Sequence, residues 1–166
     1  VLGVYSSLNV GITHDEAHSY WVWELNKQKI YNIFLNSNFD ISQLETYHGY
    51  YGVGFYFFSS IFELPTNFLL TSFEFLDSSK VLLNKHPSVF LFFFISGLYL
   101  KKIIYLITRN KQYAYLSTIF YFSYPYLLGH SYFNVKDIPF LSIWLICTYY
   151  LVDILKSYLK KKKIKE

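Results

Sequence analysis

The stretch that decides the fold is PSVFLFFFISGLYLKKIIYLI, residues 87–107. A helix needs about 20 mostly apolar residues to cross a bilayer, and this run has that length. Its only charges, Lys101 and Lys102, lie towards its far end, where lysine side chains can extend to the interface. Pro87 suits the first turn of a helix, where its missing N–H removes no hydrogen bond. The run therefore predicts a membrane-spanning helix.

Three further apolar runs lie on either side of this one, at 1–11, 113–128 and 138–155. As helices, the last two would be about 24 to 27 Å long, which suits a slightly thin bilayer. The chain contains no Met and opens inside an apolar run, so we expect an internal piece of a longer protein. The predicted fold is an all-α membrane protein with about four transmembrane helices, of which the first is truncated.

The composition excludes an ordinary soluble domain. The chain is 53% hydrophobic, 23% aromatic and only 16% charged. Cys147 is the single cysteine, which rules out an internal disulfide framework and a cysteine-based zinc site.

Basic residues set the expected orientation, because Lys and Arg accumulate in short cytoplasmic loops. They are dense at 101–111 and in the tail at 156–165, so both segments are expected to be cytoplasmic. Residues 12–86 and 129–137 are then expected to face the other side of the membrane. The formal net charge of +4 follows from this topology and from anionic lipid headgroups, and it does not indicate nucleic-acid binding.

The long extracytoplasmic loop 12–86 is expected to hold short interfacial helices, since loops of that length rarely lack structure. Residues 15–27 have helical character and are predicted to lie flat on the membrane. The apolar run 53–62 would be only about 15 Å long as a helix, with Glu63 and Pro65 ending it, so we expect it not to cross. Further helices or turns are predicted at 36–42, 69–76 and 79–84.

The motif Thr13-His14-Asp15-Glu16 follows the first apolar run and allows two interpretations. Thr13 and Glu16 have the spacing of a capping box, and acidic residues stabilise a first helical turn. Alternatively, a carboxylate held at the membrane surface can accept a proton from a hydroxyl group or bind a metal ion.

A second polar stretch, residues 129–140, forms a tight connection between two predicted spans. Asp137 and Pro139 suit the start of a helix, and Lys136 can meet lipid phosphate. His130 and Asn134 add more polar groups than a helix cap requires. Because both stretches are predicted on the same side of the membrane, we expect them to border one cavity.

The Asp15-Glu16 pair after a truncated span resembles the N-terminal part of a GT-C glycosyltransferase. The turn between the third and fourth predicted spans resembles the same part of these enzymes. Its sequence is Gly129-His130-Ser131-x-Phe133-Asn134-x-Lys136-Asp137-Ile138-Pro139. The similarity is to protein O-mannosyltransferase-like and lipid A aminoarabinose transferase-like proteins. It extends over essentially the whole chain, although such enzymes are several times longer. Val135 stands where Pro is more usual.

The resemblance implies transfer of a sugar from a polyprenyl-phosphate donor to an acceptor hydroxyl of a protein, lipid or glycan, with inversion. It places this reaction on the extracytoplasmic face of a bacterial cytoplasmic (inner) membrane. Asp15 is expected to be the base, with Glu16 positioning it or sharing its role. The resemblance leaves open whether the enzyme uses a divalent cation. If it does, Asp15 and Asp137 are the expected ligands. The residues expected to bind the donor phosphate or the substrate are His14, His86, His130, Asn134, Lys136 and Asp137.

Two other classes of function compete with this interpretation. A transporter fragment would place ionisable residues within its spans, whereas here the charges gather at the helix ends. A non-catalytic membrane scaffold would account for the aromatic residues, but it gives no reason for the polar density at 130–137.

Overall fold

The computed structural model describes residues 2–35, 54–71 and 82–163, and these residues form helices and turns without a strand. The predicted all-α class is confirmed over this part of the chain. The helices are α1 (Leu2–Leu8), α2 (His14–Leu35), α3 (Gly54–Ser59), a 3-10 turn (Ser60–Phe62), α4 (Glu63–Thr71), α5 (His86–Thr108), α6 (Lys111–Ser123), α7 (Pro125–His130) and α8 (Asp137–Lys163).

Two of the described helices are long and apolar enough to cross a membrane. They are α5 and, within α8, the segment Asp137–Lys160, each with a mean hydropathy of 1.8. Only 22% and 17% of these apolar stretches is buried inside the chain, so most of their apolar surface faces outward. Both match runs predicted to span, at 87–107 and 138–155.

The third predicted span, at 113–128, does not form one helix. Helix α6 ends at Ser123, Tyr124 is extended (φ −67°, ψ 113°), and Pro125 begins α7. The proline ring clashes with a helical conformation of the residue before it, and this explains the break. Of the first predicted span, the structure places residues 2–8 in a helix.

Helix α5 lies at the centre and packs against α1, α6 and α8. Against α6, the ring of Phe93 stacks on that of Tyr121 with centroids 4.9 Å apart, and the hydroxyls of Ser96 and Tyr121 lie 2.7 Å apart. Gly97 permits this close approach, since a Cβ there would come 2.3 Å from the ring of Phe122. The larger cluster of buried apolar side chains consists of Trp23, Tyr56, Val89, Phe93, Tyr121, Val135 and Ile138, and a smaller one of Leu8, Leu70 and Leu83.

The segments between α1 and α5 differ from the prediction in two ways. Helix α2 runs on to Leu35, well past the predicted end near residue 27. The prediction that Glu63 and Pro65 end the preceding run was wrong, because both lie in the first turn of α4, where a proline costs no hydrogen bond. The 3-10 turn separates α3 from α4, and neither short helix is among the described helices that are long and apolar enough to cross a membrane, so the expectation that 53–62 does not cross stays a prediction.

Three of the predicted loop elements reach beyond the described residues. The turn at 36–42 lies wholly outside them, as do residues 72–76 and 79–81 of the two further predicted helices.

Candidate functional site

The start of α2 is held by the predicted capping box. The backbone N–H and the hydroxyl of Thr13 both donate to Glu16 Oε1, each at 2.8 Å. The helical interpretation of this motif is therefore confirmed, and one of the two carboxylate oxygens of Glu16 is committed to it.

The second carboxylate oxygen of Glu16 makes a contact that the sequence did not reveal. Glu16 Oε2 lies 2.6 Å from Nε2 of His86, and His86 Nδ1 lies 2.8 Å from the carbonyl oxygen of Ser7. Glu16 is 3% exposed and His86 is fully buried. This chain of contacts ties the start of α2 to the start of α5 and to the last turn of α1.

Glu16 and Asp15 therefore occupy very different environments. Glu16 is buried, and both of its oxygens have partners within the protein. Asp15 is exposed on the first turn of α2. A side chain that accepts a proton from a bound hydroxyl must be within reach of it, which favours Asp15 over Glu16.

Asn134 organises the turn that leads into α8. Its side-chain oxygen accepts hydrogen bonds from the N–H groups of Lys136 (3.1 Å) and Asp137 (2.8 Å). Its Nδ2 lies 2.9 Å from Asp137 Oδ2 and 2.9 Å from His130 Nδ1. Asn134 thus caps the start of α8, and the carboxylate of Asp137 is not used to begin its own helix.

The two polar stretches border one cavity of about 160 Å³. The prediction that they would face one another is confirmed. One side of the cavity is lined by residues of the first stretch and α2: Thr13, Asp15, Glu16 and Ser19. The other side is lined by residues of the turn: His130, Phe133, Asn134, Val135, Lys136 and Asp137.

A larger cavity of about 430 Å³ adjoins the first one and shares Ser19, Val135, Lys136 and Asp137 with it. Its remaining wall is mostly apolar: Val22, Gly54, Phe55, Tyr56, Pro139, Phe140 and Ile143. Burial raises the pKa of Tyr56, so its phenol stays protonated. Polar and apolar binding space therefore meet at Lys136 and Asp137.

The other two predicted ligand-binding histidines lie elsewhere. His14 is exposed on the first turn of α2. His86 has both ring nitrogens engaged, so a contact between it and a bound phosphate would require this buried arrangement to open. Their roles in binding stay predictions.

The described residues contain no group of three or more His, Cys, Asp or Glu side chains arranged to hold a metal ion. Asp15 and Asp137 are two carboxylates on one cavity, which is fewer protein ligands than a dedicated metal site supplies. Mg²⁺ can be held by one or two carboxylates together with a substrate phosphate, so a divalent cation on Asp15 and Asp137 stays a prediction.

No protein-family model, curated protein or solved structure matches this chain. Its function must therefore be inferred from the chemistry of its own residues.

Proposed function

We propose that the chain is part of a membrane glycosyltransferase. It would move a sugar from a polyprenyl-phosphate donor to an acceptor hydroxyl on the extracytoplasmic face, with inversion. The surrounding protein would contain about four spans in this region, including α1 and the broken helix α6–α7. The observation that carries the proposal is the shared cavity of Asp15 and the 130–137 turn.

The cavity offers the two kinds of group that the reaction needs. The exposed carboxylate of Asp15 can accept the proton of an acceptor hydroxyl. Lys136 and His130 on the facing wall can supply positive charge or hydrogen bonds to a departing phosphate.

The adjoining apolar cavity supports a donor that carries a lipid chain. A polyprenyl-phosphate sugar needs polar space for its phosphate directly beside apolar space for its isoprene units. The wall shared by the two cavities, at Lys136 and Asp137, provides that change of environment.

In the proposed step, the acceptor oxygen forms a bond to the anomeric carbon as its proton passes to Asp15. The bond from that carbon to the phosphate oxygen breaks, and the polyprenyl phosphate leaves with the electron pair. Attack from the side opposite the leaving group inverts the anomeric configuration. Glu16, held by Thr13 and His86, fixes the first turn of α2 and so positions Asp15.

The test is release of polyprenyl phosphate from a panel of polyprenyl-phosphate hexoses and pentoses, measured with the full-length protein in membranes. Asp15→Asn keeps the shape of the side chain but removes the proton acceptor, so turnover should fall by about 10² to 10⁴. Asp153→Asn, in α8 and outside the cavity lining, is the matched control and should retain wild-type turnover.

Two results would count against the proposal. One is wild-type turnover in Asp15→Asn protein, and the other is an equal loss in Asp15→Asn and Asp153→Asn.

A further inference from the structure

A further cavity, with polar and apolar groups on its wall, lies farther along α2. Its volume is about 420 Å³, within the range of small-molecule sites. It lies between the α2 face of Tyr20, Trp23 and Glu24 and the segment that contains Glu63. Among the described residues, it shares no lining residue with the Asp15 cavity.

The charges on the wall of this cavity are balanced. Lys27 Nζ donates to Glu24 Oε1 at 2.6 Å, and Lys85 forms an ion pair with Glu63. Burial lowers the pKa of Lys85, and its hydrogen bond with Glu63 opposes that shift. Because each carboxylate has a lysine partner, the wall gives little preference for an anion or a cation.

Asn84 is the feature that points to a ligand. It lines the cavity, is 7% exposed, and within the described part of the chain its Oδ1 has no hydrogen-bond partner. Buried acceptors of this kind are uncommon, because they lose their bond to water and gain nothing in return. A donor that enters the cavity is the group that would satisfy it.

We propose that this cavity binds a neutral polyhydroxylated ligand, such as one sugar unit. Hydroxyl groups both donate and accept, which suits a wall of carboxylate and amide groups such as those of Glu24, Glu63 and Asn84. Half-buried Tyr20 adds aromatic surface for the C–H face of a sugar ring, backed by the core residue Trp23. The inference does not depend on the transfer reaction, because Asp15 takes no part in this site.

Binding can be measured by saturation-transfer-difference NMR on the full-length protein in phosphatidylcholine nanodiscs, which avoids detergents with sugar headgroups. The probes are methyl α-D-mannopyranoside and methyl α-D-glucopyranoside, with choline and inorganic phosphate as charged comparisons. We expect saturable binding of at least one glycoside, and weaker binding of both ions.

Three variants locate the site. Asn84→Ala should weaken glycoside binding by about tenfold. Asn67→Ala, an exposed residue of the same wall, should weaken it without disturbing the core, so it carries the test if Asn84→Ala does not fold. Asn9→Ala, an exposed asparagine on another part of the chain, should bind like the wild type.

Wild-type affinity in both Asn84→Ala and Asn67→Ala would overturn the inference, as would the lack of saturable glycoside binding. Tighter binding of choline or phosphate than of either glycoside would also overturn it. Asp15→Asn separates the two proposals, since it should bind the glycosides normally while it loses transfer.

Discussion

The two stretches that border the Asp15 cavity are held in place in opposite ways. At the start of α2, Glu16 relies on His86, which is 70 positions away in the sequence. In the turn at 130–137, the side chain of Asn134 bonds to His130, Lys136 and Asp137, all within four positions of it. One wall of the cavity therefore depends on the packing of three helices, whereas the other is stabilised by its own local sequence.

This difference predicts that substitution of His86, the distant partner of Glu16, causes the largest loss of stability. His86→Ala leaves the carboxylate of Glu16 buried without its partner, and it should lower the free energy of unfolding by about 3 to 5 kcal/mol. Thermal unfolding in detergent measures the loss. The matched control is His18→Ala, a half-buried histidine of α2. Equal stability of the two variants would mean that the buried contact contributes nothing.

Lys136→Ala tests whether the turn contributes to donor binding in the cavity. The Lys136 side chain is exposed, and the substitution keeps the backbone N–H that bonds to Asn134. Loss of its charge beside the phosphate should lower turnover by about 10² to 10³ and raise the KM for the donor. Steady-state kinetics of polyprenyl-phosphate release measures both quantities. An unchanged KM together with normal turnover would remove Lys136 from donor binding.

Glu16→Gln separates the two contacts of Glu16, with Thr13 in the capping box and with the distant His86. Glutamine can keep the bonds to Thr13, so a residue that only capped a helix would tolerate the change. Because Glu16 also meets His86 in a buried contact, we expect a loss of about 1 to 3 kcal/mol in the free energy of unfolding. Stability equal to the wild type would restore the interpretation as a simple cap.

The smallest expected effect is that of Asn134→Ala. It removes the side chain that caps α8, which should cost about 1 kcal/mol. The damage should stay local, because the side-chain bonds of Asn134 join residues of the same turn. Hydrogen exchange should rise at the N–H groups of Lys136 and Asp137 and stay unchanged at the start of α2. Faster exchange at both walls would contradict the local description.

The sequence predicted those features that depend on neighbouring residues. The capping box of Thr13 and Glu16 has a fixed spacing, and a proline in a first helical turn has a known position, so both were predicted correctly. The shared cavity followed from one further step, since charge patterning placed both polar stretches on the same side.

The features that were missed depend on three-dimensional contacts or on competing local preferences. Nothing in the surroundings of Glu16 or His86 in the sequence indicates that they meet, since helix packing alone brings them together. Pro65 was expected to end a helix but begins one, because proline suits both positions. Pro125 was read as part of a span, although its effect on Tyr124 divides that span into α6 and α7.

The carbonyl oxygen of Ser7 also determines how many protons the buried pair of His86 and Glu16 holds. A carbonyl only accepts, so Nδ1 of His86 must carry a hydrogen. Nε2 and Glu16 Oε2 are 2.6 Å apart and so share one further proton, whichever of the two atoms holds it. Either way, the pair as a unit is electrically neutral. Of the two adjacent acids at the start of α2, only Asp15 therefore brings a net negative charge to the cavity.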